Sequence, residues 1–274
     1  MNRKPQRWLV LPDIHVPYED KKTLHAVEEY LADHTWDGLI YIGDFMDFDI
    51  ISSHNKNNLR AVEARRISDE YADGRRVLDR HLALLRKRNP AAKAILLEGN
   101  HEYRAEAYLD ANPMLEGMFE VENGLGLTER KVKWVRTWSK GETYTIGNAK
   151  FHHGLYTTQY HSRKMADVFG TNIFYGHTHD VQSFSREFEG EDKTIVGQSL
   201  GCLCLYRQGY MRGKPSKWQQ AFGVFHFFPD GNFSYYVTRI FKHRFVSPEG
   251  RVYDGSDYKA PVRRNSVFAS KEGK

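Results

Sequence analysis

Cysteine is nearly absent: Cys202 and Cys204, both in "LGCLCLY", are the only two in 274 residues. A secreted scaffold stapled by disulfides is excluded on that count. At i and i+2 of an expected strand the two thiols share a face and are poorly placed to bridge each other, so buried free thiols in a reducing compartment are expected. No apolar run approaches the ~18 residues that a membrane span needs. Near the N-terminus the apolar stretch is only Trp8–Leu11, short of a secretory h-region. A cytoplasmic location with no membrane contact is therefore expected. No internal repeat stands out. Acidic excess is also missing. The net charge is +5 and the pI about 9.0, compatible with a polyanionic partner without demanding one.

What is present is ordinary for a folded protein: 40% hydrophobic and 27% charged residues. Five short apolar segments read as strands buried on both faces, Trp8–Leu11, Leu39–Ile42, Ala94–Leu97, Ala149–Phe151 and Ile173–Tyr175. Helical patterns lie between them. The spacing predicts a helix over 21–34, with Leu24, Val27 and Leu31 facing one way, and a long one over 59–88 ended by Asn89-Pro90. A shorter helix is expected over 157–169, closed by Gly170. From Thr194 the texture turns to strands: "TIVGQSLGCLCLY", "FGVFHFF" and "NFSYYVTRIF", with "PDG" at 229–231 as a turn. One layered α/β domain over 1–253 is expected, with ligand blocks at 13–179, a β-rich part at 194–245, and a tail over 254–274.

Each of the five early strands runs straight into polar, metal-ligating residues. The clusters supply Asp13 and His15; Asp44; Asn100 and His101; His152 and His153; His177 and His179. In open α/β sheets the loops past the carboxyl ends of strands converge on ligands. Carboxylate, amide and imidazole donors suit divalent ions of intermediate hardness such as manganese, iron, zinc or nickel. No cysteine is among them, which argues against a structural zinc finger. The donors outnumber the needs of one ion, and two ions sharing a carboxylate would use them. The remaining histidines, His25, His34, His54, His81, His161, His226 and His243, lack a motif and read as structural.

"DIH", "GDFMD", "GNHE", "HHG" and "GHTH", in that order, resemble the five signature blocks of the calcineurin-like metallophosphoesterase superfamily. The resemblance implies an α/β/β/α sandwich of two mixed sheets, with the β-rich C-terminal half forming the second sheet. It implies two divalent cations, Mn2+ ahead of Fe, Zn or Ni. Asp13 and His15 would bind the first, Asp44 would bridge, and Asn100 would bind the second. His153 would be the fourth-block ligand, His177 would serve the second ion and His179 the first. Neighbours in a strand point oppositely, so His152 and His153 cannot both face the ions, and the "HG" match selects His153. His101 would touch substrate, oriented by Asp47, and in protonated form would steady the phosphate and protonate the leaving group. A metal-activated hydroxide would attack phosphorus in line.

The blocks point to a phosphoester substrate and leave its class open. Ser/Thr protein phosphatases of the superfamily continue the second block as "GDxxDRG", whereas Phe48 follows Asp47 here. "GHTH" with both histidines as ligands is common in the phosphodiesterases, and the basic pI leans toward nucleic acid or nucleotide. So does "LYRQGYMRGKPSKW" at 205–218, where Tyr206, Tyr210 and Trp218 alternate with cations. A monoesterase for a small metabolite is the nearest rival, and a non-catalytic scaffold is disfavoured because no ligand has been lost. Glu102 and Arg104 in "GNHEYR" are candidates for building the site; their plainer roles are a helix-start carboxylate and a surface cation, and Arg104 is also a candidate phosphate contact.

Overall fold

Alternation along the first strand sets the layers. In β1 (Gln6–Leu11), Leu9 and Leu11 enter one buried cluster and Trp8 and Val10 enter another on the opposite face. The computed structural model describes residues 4–52, 65–190, 193–206 and 216–260. β1 pairs in parallel with β2 (Gly38–Tyr41), β2 with β3 (Lys93–Leu97), and β3 with β4 (Val132–Val135). On the other side of β1 lie antiparallel β10 (Ala221–Phe227) and then β11 (Phe233–Arg239), completing six strands. The second sheet has the order β5 (Tyr144–Ile146), β6 (Ala149–Phe151), β7 (Asn172–Tyr175), β9 (Lys193–Ser199) and β8 (Ser183–Phe188). Its three central strands, β6, β7 and β9, are parallel and its two edge strands antiparallel.

The sheets face each other through Trp8, Val10, Ile40, Ile42, Ile95 and Leu97 on one side and Ala149, Phe151 and Phe174 on the other. Phe225 of β10 reaches across, its ring centroid 5.1 Å from Phe151 and 4.7 Å from Phe174. The far face of the six-stranded sheet is covered by α1 (Lys21–Asp33) and α2 (Ile67–Arg88), through Leu24, Val27, Leu31, Leu78, Leu82 and Leu85. The far face of the other is covered by α6 (His161–Phe169), whose Met165 meets Ile173 and Tyr175. Shorter helices α3 (Tyr103–Ala111), α4 (Val121–Leu125) and α5 (Thr137–Lys140) lie along the first half. A small hairpin of β12 (Arg244–Val246) and β13 (Val252–Asp254) follows β11. The layering is α/β/β/α. Among the described residues no helix is long and apolar enough to cross a membrane.

The expected elements hold, with corrections. The C-terminal strands do not build the second sheet by themselves: β10 and β11 extend the first sheet, and only β8 and β9 join the second. The run from Thr194 leaves the sheet after Ser199, and Cys202 and Cys204 form only isolated bridges with Gln220 and Glu19; both thiols are free and buried. The long helix starts at Ile67, residues 59–64 lying outside the described residues, and the shorter one at His161, with Gly170 at φ +60 capping it. Strands β4, β5 and β8 carry no alternation long enough to be read from sequence. The first part of the tail packs: Tyr258 stacks on His25 of α1 at 4.1 Å.

Candidate metal centre

The loops that leave β1, β2, β3, β6 and β7 at their carboxyl ends meet at one end of the two sheets. They carry the predicted ligands into contact. One group comprises Asp13, His15, Asp44 and His179, with a donor atom of each within 4.8 Å of the others. A second comprises Asp44, His153 and His177. Asp44 belongs to both. His15 Nε2 lies 3.1 Å from His179 Nε2 and 3.6 Å from Asp44 Oδ2, and His179 Nε2 lies 3.2 Å from Asp13 Oδ1. In the second group His153 Nε2 is 3.3 Å from Asp44 Oδ2 and 3.0 Å from the side-chain oxygen of Asn100.

The backbone supports this convergence at a cost. Asp13, His15, Asp44, His177 and His179 all sit at positive φ, from +44 to +69. Such conformations are disfavoured for residues other than glycine and gather where function demands them. Two glycines are needed for close approach. A Cβ on Gly99 would stand 2.1 Å from Asp44 Oδ1, and one on Gly176 would stand 2.1 Å from Asp13 Oδ2. That is the physical content of the glycines in "GNHE" and "GHTH".

Divalent cations fit these residues. Asp13 Oδ2 is buried and has no hydrogen-bond partner among the described residues, while Asp13 Oδ1 lies 3.2 Å from His179 Nε2, which faces His15 Nε2 at 3.1 Å. A buried carboxylate with an orphaned oxygen, set beside converging imidazole nitrogens, is costly unless a cation satisfies it. The other ring nitrogens are spoken for. His153 Nδ1 lies 3.0 Å from the Ile42 carbonyl and His15 Nδ1 2.9 Å from Asp47 Oδ2, leaving Nε2 as the inward atom of each. Burial lowers the pKa of His153 and His179, but Asp44 and Asp13 respectively outweigh it and raise each to about 9. Burial holds His177 down at about 4, so it is a neutral imidazole at ordinary pH.

His152 points away, as the alternation requires. Its Nδ1 accepts from the Gly154 N–H at 2.9 Å, its ring packs on Phe169, and burial lowers its pKa to about 4.

Two expectations change. The Asp47 carboxylate lies closer to His15 Nδ1, at 2.9 Å, than to His101 Nδ1, at 3.4 Å; His101 Nδ1 instead meets the Asp47 backbone carbonyl at 2.9 Å. Asp47 therefore orients both rings, one mainly through its backbone. His101 Nε2 lies 3.1 Å from Arg104 Nη2. A guanidinium only donates, so His101 is here the neutral Nδ1–H tautomer with Nε2 accepting. Burial lowers its pKa, but the Asp44 and Asp47 charges outweigh that and raise it. His101 can present a proton from Nε2 only once Arg104 has turned away.

Sequence reasoning missed two participants, Cys204 and Trp138, and named two others, Glu102 and Trp218, without their contacts. Glu102 is wholly buried and makes no cap for α3; it accepts the backbone N–H groups of Asp44, Met46 and Gly99 at 2.9, 2.8 and 2.8 Å. Cys204 Sγ lies 4.0 Å from His179 Nδ1, so a thiol does border the ligands. Trp138 and Trp218 flank them. Cys204 and Trp138 have no local signal, because each reaches the site through tertiary contact. Of the loop at 205–218, residues 207–215 lie outside the described residues.

No protein-family profile matches the chain. The Gene 54 proteins of Mycobacterium phages D29 and L5 are 29% and 28% identical to it over 233 residues, covering 80% of this chain and 88% of each relative. Among solved structures, Vacuolar Protein Sorting 29 from Cryptosporidium parvum aligns over 91% of this chain and 96% of its own, at 14% identity and TM-score 0.45. Zinc-complexed Vps29 from Entamoeba histolytica aligns over 90% and 96%, at 13% identity and TM-score 0.42. Pseudomonas putida nuclease MPE aligns over 82% and 85%, at 15% identity and TM-score 0.37. Overlaps this loose add nothing to the fold, which stands on the strand order and layers above.

Proposed function

We propose that the chain is a dinuclear metal-dependent phosphoesterase, most readily a phosphodiesterase acting on nucleic acid or nucleotides. One observation carries this reading: two donor groups share the single carboxylate of Asp44. Asp13, His15 and His179 would hold one cation and Asn100, His153 and His177 the other, with Asp44 common to both and Mn2+ the leading occupant. Bound there, the cations supply Lewis acidity, acidifying water near neutral pH and offsetting charge on phosphoryl oxygens.

The chain's own residues do the rest. Asp47 and the Ile42 carbonyl fix the tautomers of His15 and His153. Arg104, resting on His101 and the Asp47 carbonyl at 3.1 and 2.8 Å, supplies the fork that would pair with phosphate oxygens. When it does so it vacates His101 Nε2, which would take up a proton from solvent, favoured by the Asp44 and Asp47 charges, and would pass that proton to the leaving oxygen. The diester preference is supported by the "GHTH" block and by the basic pI.

Metal analysis of unchelated protein supplied with manganese should find two ions per chain. Asp44→Ala should find close to none, while His101→Ala keeps metal and loses most turnover. A paired assay of bis-p-nitrophenyl phosphate against the monoester should favour the diester. Preference for the monoester would move the reading to a monoesterase, and wild-type protein without bound ions would end it.

A further inference from the structure

Two indoles bracket the donor groups, one at each. Trp138 lies with its ring centroid 5.2 Å from His177 and 5.9 Å from His153, both in the second group. Trp218 lies 4.2 Å from His179, in the first. Unlike Trp8 and Trp36, which are 2% and 0% exposed and serve the core, both are only half-buried. Each therefore keeps part of its surface exposed beside the donor groups.

Both are mounted on rigid supports. Trp138 belongs to α5, whose first turn is tied down by buried Glu98. Its carboxylate accepts from the Ser139 N–H and hydroxyl at 2.7 and 2.6 Å, and its carbonyl accepts from Thr137. Trp218 precedes Gln219, whose N–H donates to the His179 carbonyl at 2.7 Å and whose side chain accepts from the Val181 N–H at 3.1 Å. The segment bearing each indole is thus bonded to a motif block: "EGNHE" for Trp138, "GHTH" for Trp218.

From this placement we infer that Trp138 and Trp218 are stacking platforms for the two arms of a phosphodiester, and that those arms carry nucleobases. The inference rests on the phosphodiesterase reading and narrows it. A phosphorus centred near Asp44 sends one substituent toward each donor group, where an indole waits. Every base has a π face, and stacking on an aromatic side chain gives affinity without sequence preference. A monoester has one arm and leaves one indole idle.

The test compares thymidylyl-thymidine with the same dinucleotide backbone lacking both bases, using Mn2+-loaded protein. Wild type should prefer the base-bearing diester by at least about tenfold in kcat/KM, and Trp138→Ala and Trp218→Ala should each cut that ratio by about tenfold, with Phe restoring much of it. Equal hydrolysis of the two, or Ala variants that lower both alike, overturns the inference and leaves the phosphodiesterase reading intact. Binding supplies a readout without turnover. Indole fluorescence should be quenched saturably by thymidine 5′-monophosphate and far less by 2-deoxyribose 5-phosphate. If wild type hydrolyses neither diester, the phosphodiesterase reading falls, and this titration alone decides: equal response to the two phosphates overturns the stacking role, and selective quenching upholds it.

Discussion

Glu102→Gln tests the construction of the site at its most economical point. The wild-type carboxylate faces three backbone donors, with Oε2 accepting from Asp44 and Gly99 and Oε1 from Met46. It thereby ties the loop after β2 to the loop after β3, the segments that carry Asp44 and Asn100. An amide offers one oxygen and one NH2 group. Whichever way it turns, at least one buried backbone N–H then meets a donor. Burial and the Asp44 charge raise the pKa of Glu102 to about 7, so above that pH each hydrogen bond is to a charged acceptor and contributes ~1.5–3 kcal/mol, and a buried donor left unpaired costs ~1–3 kcal/mol. The variant should therefore lose about 3 kcal/mol of stability, which for a chain of this size is roughly 6–12 °C in Tm. Manganese affinity should drop by about tenfold or more, because Asp44 loses the clamp on its own N–H. Thermal unfolding in chelator and calorimetric titration with Mn2+ read the two effects separately. Unchanged Tm together with unchanged affinity would refute the clamp; a Tm loss with intact affinity would reduce Glu102 to a structural tie.

Gly99→Ala should abolish tight Mn2+ binding, since its Cβ would meet both Asp44 Oδ1 at 2.1 Å and the Asp44 backbone nitrogen at 2.4 Å; an ordinary titration curve would refute the steric argument. His153 and His179, raised to about 9, hold protons that a cation must displace. Apparent Mn2+ affinity should therefore climb from pH 6 to 8, by up to about tenfold per unit for each proton released, and binding should acidify weakly buffered solution. Far from the site, burial raises the pKa of Glu28, but its contacts with His81 and Arg80, at 3.0 and 2.7 Å, outweigh that and lower it. A folded value below the unfolded one gives stability that is present above about pH 4.5 and lost as pH falls through the folded value. Glu28→Gln should flatten that acid limb in urea titrations, and an unchanged limb would count against the linkage.

The convergence of the candidate donors was legible in the sequence because each follows a strand directly, and parallel strands deliver their carboxyl ends to one edge. His153 over His152 followed from strand alternation combined with the "HG" match. The layers were legible too, since α1, α2 and α6 carry one-sided apolar faces. What escaped was whatever depended on contacts across the chain. Glu102 looks like a helix cap until Asp44, 58 positions earlier, is seen to bond to it. Trp138 sits in a four-residue helix that no periodicity announces. The destination of β10 and β11 could not be read, because an antiparallel strand can pair with either sheet and only the packing of Phe225 between them decides.

His179 comes from the five-stranded sheet, Asp13 and His15 from the six-stranded one, and Asp44 with His153 and His177 repeats the crossing. Each cation would thus be gripped from both sides of the sandwich, a rivet through two plates. Chelation should then do more than silence chemistry: it should let the rim gape, with amide exchange quickening at the strand ends on both plates together while the far rim keeps its protection.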